Sequence, residues 1–298
     1  MRGIKHIHHI SAIVGHPQET IDFYQKVLGM RLVKQTVNFD DKDTYHLYFA
    51  GQKDEPEEVM TFFNWTHPDA EGVVGSGQVG RIAFQVPKGS LDWWEKHLDS
   101  HDIATDISEL FGKKTLEFED YHHLDLALVE GNREKDNHDI EGFYGTIILS
   151  KEARQSAEDL DNFLGLKKIE EDGEYWHFET LGEKKHRVLV KKEALPMRRL
   201  GIGTVHHVAW AAADENELKG WQKALQEKGY GHTPLKNRKY FHSIYYREPG
   251  KVVFEIATEG PGFNVDEPLD QLGRELQLPE QFEADRAEIE AHLPDIHI

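Results

Sequence analysis

A unit of one strand, one helix and about three further strands recurs four times along this 298-residue chain, and that repetition limits the fold more than any local feature. One such unit cannot bury its apolar face alone, so the copies must close their cores against one another. Strand-like openings stand at residues 4–14, 79–86, 145–149 and 205–210. Each precedes a helical pattern of period 3.6. Residues 21–30 read as an amphipathic helix ending at Gly29, and residues 160–166 repeat that ending at Gly165. Leu91, Trp93, Trp94 and Leu98 correspond to Leu218, Trp221 and Leu225, with the tryptophans expected between helix and sheet. Polar or glycine-rich joins fall at 66–77, 130–142 and 191–203. The expected architecture is α+β: four βαβββ modules in two domains of two modules each, 1–132 and 143–262. An acidic tail, 263–298, with a helix near residues 280–293, is expected to cover a core edge.

Composition narrows the function. With 35 basic and 54 acidic side chains the net charge is −19, which disfavours nucleic acid and anionic membranes and suits a protein acting on small molecules. No run approaches membrane-spanning length and no apolar signal core follows Met1, so a cytoplasmic address is expected. The absence of cysteine excludes disulfides, thiolate metal sites and cysteine nucleophiles, leaving nitrogen and oxygen as metal donors.

Two histidine pairs mark the candidate site. With 19 histidines, about one adjacent pair is expected by chance and three occur, so placement matters more than count. His8-His9 and His206-His207 open the first and fourth units, and Glu255 interrupts the apolar run 252–256. Two imidazoles and one carboxylate are the protein ligands of non-haem iron centres that keep positions open for substrate and oxygen. On a regular strand His9 shares a face with Ser11, His207 with Ala209, and Glu255 with Val253 and Ala257. Tyr245 lies ten residues before Glu255, which suits neighbouring strands joined by a turn at residues 248–250.

Four such units, with ligands on the first and last, resemble the vicinal oxygen chelate superfamily of glyoxalases, bleomycin-resistance proteins and extradiol ring-cleaving dioxygenases. The segments 8–10, 45–50, 87–94, 236–241 and 253–255 are most similar to its hydroquinone 1,2-dioxygenase branch. The resemblance implies that His9, His207 and Glu255 hold Fe(II), with Mn or Zn as substitutes in a purified sample. It also implies that His206, Arg238 and Tyr245 line the substrate and that His8 and Ser11 support the ligands. The implied partners are a small aromatic diol and O₂, in detoxification or degradation of quinones and aromatics, with self-association compatible. Unit three opens without histidine, so unit one must pack against unit four to complete the metal cup, its opening strand forming one edge. Whether one chain or two build that cup stays open at this level. A glyoxalase-like isomerase or lyase and a metal-free binder of aromatic compounds are the alternatives.

Other motifs carry less. Residues 75–80 satisfy G-x-G-x-x-G but lead into a strand, whereas a dinucleotide site needs a helix there. His177-Phe178-Glu179 lacks the cysteine pair of a zinc deaminase. His46 and the His122-His123 pair are read as decoration or a second site.

Overall fold

A computed structural model of the chain describes residues 3–52, 56–67 and 70–298. The four expected modules are present. The first comprises β1 (Ile7–Val14), α1 (Pro17–Ile21), β2 (Arg31–Asn38), β3 (Asp41–Ala50) and β4 (Val59–Asn64). The second runs β5 (Gln78–Val86), α2 (Leu91–Asp99), β6 (Asp106–Leu110), β7 (Lys113–Glu119) and β8 (Asp125–Glu130). The third has β9 (Phe143–Leu149), α3 (Ala153–Asn162), β10 (Lys167–Glu171), β11 (Tyr175–Glu179) and β12 (Arg187–Lys191). The fourth has β13 (Thr204–Ala212), α4 (Glu215–Lys228), β14 (Lys236–Asn237), β15 (Phe241–Arg247) and β16 (Val253–Pro261). The helix after β1 starts as α1 and continues as a π-helical turn over Asp22–Val27.

Local chemistry explains these boundaries. The Asp214 carboxylate accepts from the backbone N–H of Asn216 and Glu217 to start α4, and Gly229, at φ 78°, ends it in the left-handed region. Leu218, Trp221 and Leu225, at the i, i+3, i+7 spacing, bury one face of that helix on the sheet. In α2 the same role falls to Leu91, Trp94 and Leu98. Trp93 departs from expectation: it is 41% exposed and stacks on His97 and His138 at the surface. It faces away from the sheet because it precedes Trp94 by one residue, about 100° around the helix.

Strand pairing crosses the expected halves. One eight-stranded sheet has the order β14-β15-β16-β13-β1-β4-β3-β2, joining modules four and one; the other, β10-β11-β12-β9-β5-β8-β7-β6, joins three and two. The sheets therefore do not follow the division into 1–132 and 143–262. The chain leaves the first sheet after β4, builds the second, and returns for β13. Its outgoing and returning joins run side by side through bridges Glu71–Ile202, Val73–Arg199 and Ser76–Met197. A Cβ on Gly75 would stand 2.3 Å from the Pro196 carbonyl oxygen, so this close crossing needs glycine. The opening strand β1 lies mid-sheet, antiparallel to β13 and parallel to β4, with all eight residues buried.

The tail covers the true edge. Lys34 of β2 is fully buried between the carboxylates of Asp266 and Glu267, its Nζ 4.9 Å from the Tyr240 ring centre. Leu276 bridges to Gln35, while Leu278, Ile289 and Leu293 join the main core. The expected helix is a 3₁₀ segment, Glu280–Asp285, continuing into α5 (Arg286–His292). An edge strand covered this way cannot pair with another chain.

Glu58, just before β4, ties the two sheets together. Its carboxylate meets Lys184 Nζ at 2.8 Å and His186 Nε2 at 3.2 Å, and accepts from Phe143 N–H at 2.8 Å. Burial alone would raise this carboxyl, but the His186 and Lys184 partners outweigh it and bring it from 4.5 down to about 2. A depressed carboxyl stabilises the fold fully above its unfolded value and loses that contribution as pH falls through its folded value. Glu58→Gln is therefore expected to destabilise by roughly 2–3 kcal/mol at neutral pH. The difference should shrink between about pH 4.5 and 2, measured by urea unfolding across that range. Equal midpoints at neutral pH would refute this role.

Candidate metal centre

His9, His207 and Glu255 come together although 198 residues separate the two histidines. His9 Nε2 stands 3.1 Å from His207 Nε2 and 3.1 Å from Glu255 Oε2, and His207 Nε2 stands 2.8 Å from that same oxygen. All three side chains are buried, and all belong to one chain. Ligand atoms at right angles and about 2.1 Å from a common ion stand about 3.0 Å apart, so the set matches three ligands on one face of an octahedron.

The donor chemistry agrees. Both carboxylate oxygens of Glu255 are buried and lack a hydrogen bond of acceptable geometry, despite the nearby imidazole nitrogens. Three atoms able to offer a lone pair thus converge on one point. A buried carboxylate left this way is costly unless a cation occupies the point of convergence. Burial would raise the Glu255 carboxyl, but the two imidazoles outweigh it and hold it well below the usual range. The group is ionised and ready to bind a metal.

Each ligand histidine is oriented by the residue before it. His8 Nδ1 lies 2.8 Å from His9 Nδ1, and His206 Nδ1 lies 2.7 Å from His207 Nδ1. A hydrogen bond at Nδ1 fixes the tautomer that presents the Nε2 lone pair to a metal. Adjacent residues on a regular strand point to opposite faces, so this requires the strands to bulge. The β1–β13 register supplies both bulges. Ile7 pairs with Trp210 and His9 with Ala209, leaving His8 extra in β1; Ser11 pairs with His207 and Ala12 with Val205, leaving His206 extra in β13. The alternation read from the sequence therefore breaks at both histidine pairs. Burial, followed by the neighbouring ligand imidazole, lowers both His8 and His206 to about 3, so both are neutral near pH 7.

The remaining expected residues surround this cup. Tyr245 pairs directly with Glu255 across β15 and β16, and its ring stands edge-on to His207 at 5.5 Å. The Arg238 guanidinium carbon lies 5.4 Å from the Tyr245 ring centre, and Arg238 Nη2 donates to Asp40 Oδ2 at 2.9 Å. Burial above all keeps the Tyr245 hydroxyl protonated. Ser11 Oγ sits 2.6 Å from Thr61 Oγ1, supporting the wall beside His9. His206 lines an open cavity of about 840 Å³ together with His207, Arg238, Tyr245 and Trp65.

Several contributors were not singled out from sequence. His46, read as decoration, is buried in the wall of a small inner cavity shared with His9 and His207, its Nε2 3.0 Å from Thr61 Oγ1 and its Nδ1 2.9 Å from Tyr48 Oη. Asn38, Phe39 and Asp40, at the β2–β3 turn, close the side opposite β15. The spacing of His46 and Tyr48, two apart on one strand face, was the available signal. His122 instead meets Glu19 Oε2 at 3.1 Å, far from this cup in the fold, and residues 75–80 lead into β5 as expected.

The family model described as "Glyoxalase/Bleomycin resistance protein/Dioxygenase superfamily" matches residues 6–256. "Putative ring-cleaving dioxygenase MhqO" of Bacillus subtilis is 42% identical over 297 residues, 96% of this chain and 95% of its own length. The chlorohydroquinone/hydroquinone 1,2-dioxygenase of Sphingobium indicum is 32% identical over 317 residues, 96% of this chain and 95% of its own. The crystal structure of a "putative dioxygenase" from Bacillus subtilis superposes with a TM-score of 0.95 at 41% identity, covering 100% of this chain and 99% of that one. Maize glyoxalase I, at 14% identity, shares the fold alone, with a TM-score of 0.63 over 85% of this chain and 92% of its own.

Proposed function

The chain belongs to the glyoxalase/bleomycin resistance protein/dioxygenase superfamily, and from that premise we propose that it is an Fe(II)-dependent, extradiol-type dioxygenase that opens hydroquinone rings with O₂. The observation that carries this reading is the convergence of two imidazole nitrogens and one buried carboxylate oxygen within 3.1 Å. Full-length similarity to ring-cleaving dioxygenases supports the reaction class, and the hydroquinone enzyme supports the substrate. A metal-free binder would have no use for a buried carboxylate lacking donors.

The donors His9 Nε2, His207 Nε2 and Glu255 Oε2 would hold the ion, which when bound supplies adjacent positions for a diol oxygen and O₂ and a path for electrons between them. The chain's other groups act around it. His8 and His206 keep the ligand imidazoles in the metal-binding tautomer. His206 is bound through Nδ1, which leaves Nε2 for a group in the cavity. Tyr245, protonated and beside Glu255, donates from Oη to charge developing on substrate oxygen. Arg238, anchored on Asp40, holds such charge without giving up its own proton. Phe39, Phe63 and Phe241 exclude water and offer ring faces to a planar substrate.

The test is oxygen uptake by anaerobically prepared, Fe(II)-loaded protein. A para-hydroquinone is expected to consume one O₂ per ring opened and to be turned over faster than catechol, with product mass showing both oxygen atoms retained. Isomerisation of a hemithioacetal without oxygen uptake would replace this reading with the glyoxalase one.

A further inference from the structure

Resting on the ring-cleaving reading, we propose that the cavity is built for an aromatic diol carrying an anionic substituent, a carboxylate or sulfonate, held at the cavity mouth by Arg247.

Position is the first argument. Tyr245 and Arg247 lie on one face of β15, two residues and about 6.8 Å apart along the strand. The register continues across the sheet, with Tyr245 opposite Glu255 and Arg247 opposite Val253. Arg247 and Val253 both line the 840 Å³ cavity whose inner end holds His207 and Tyr245. A ring seated at the three donors, with Tyr245 beside it, therefore directs its outer substituent along β15 towards Arg247.

Charge is the second. The chain has 54 acidic side chains against 35 basic ones, yet the cavity lining includes only Asp40 against Lys236, Arg238 and Arg247. Asp40 is already committed, to Lys236 at 3.2 Å and Arg238 at 2.9 Å. Arg247 donates to the Lys251 carbonyl at 3.2 Å. It has no carboxylate partner among the described residues. A cavity-lining guanidinium without an acid, in a chain so rich in acids, is open to an anionic group that enters the cavity. The guanidinium fork matches carboxylate and sulfonate oxygens, and its charge-assisted hydrogen bonds are among the strong ones.

Trp65 in the cavity wall provides the readout. Metal-free protein is titrated anaerobically with 2,5-dihydroxybenzenesulfonate, 2,5-dihydroxybenzoate and neutral methylhydroquinone, following tryptophan fluorescence. The anionic rings are expected to bind about tenfold more tightly or better, with the ratio falling as salt rises from about 0.05 to 0.5 M. Arg247→Gln should bring the ratio close to one, and Arg247→Lys should retain part of it. Equal binding of charged and neutral rings, or a ratio unchanged in Arg247→Gln, overturns the proposal. Oxygen uptake by the Fe(II)-loaded protein separates the two readings. Neutral hydroquinone cleaved with no anion preference sinks this inference alone, whereas a salt-sensitive anion preference without cleavage of any diol sinks the ring-cleaving reading alone.

Discussion

Replacing His9, His207 or Glu255 with alanine is expected to lower Fe(II) affinity by more than about 100-fold, and ring cleavage should disappear with the iron. Loss of an outer hydrogen bond to a ligand commonly costs 10–100-fold, and loss of a ligand itself should cost more. Here the three donors sit within 3.1 Å of one another, so each alanine leaves only two of them at the point of convergence. Elemental analysis after anaerobic reconstitution decides the matter; full iron retention in all three variants would sink the assignment.

Tyr245→Phe is expected to lower turnover by about 100-fold or more with iron content unchanged. The ring would remain edge-on to His207 and only the hydroxyl would go. Because burial keeps that hydroxyl protonated, its contribution is donation to charge that appears during reaction, which affects turnover more than substrate binding. Arg238→Met should show the same pattern in milder form, since Lys236 also sits on Asp40 and leaves a cation nearby. Iron analysis and steady-state kinetics on one preparation test both. Unchanged kinetics in Tyr245→Phe would reduce Tyr245 to a packing residue.

The four modules were legible because each repeats an apolar strand followed by a helix of period 3.6, and two of the helices carry a glycine stop, at Gly29 and Gly165. Both glycines take the left-handed conformation, at φ 64° and 71°. The convergence of His9, His207 and Glu255 was legible too, since they are polar groups inside apolar runs, and such groups need a buried partner. Proximity of Tyr245 to Glu255 followed from a short turn.

What the sequence did not disclose depended on contacts between distant strands. Alternation along one strand says which residues share a face, but a bulge exists only where two strands pair with unequal counts. His8 beside His9, and His206 beside His207, could therefore not be read from either strand alone. His46, Tyr48 and Asp40 reach the cup only because β3 and β2 lie beyond β4 in the same curled sheet as β13 and β16. Chain order suggested halves of two consecutive modules; contact between units one and four was expected, but only the pairing of β1 with β13 shows that it is one continuous sheet. By itself the sequence determined the modules and pointed to three polar residues inside apolar runs, through local periodicity and the cost of burying charge. Tertiary structure decided which modules share a sheet and where the bulges fall, because backbone pairing between strands is satisfied across the whole chain.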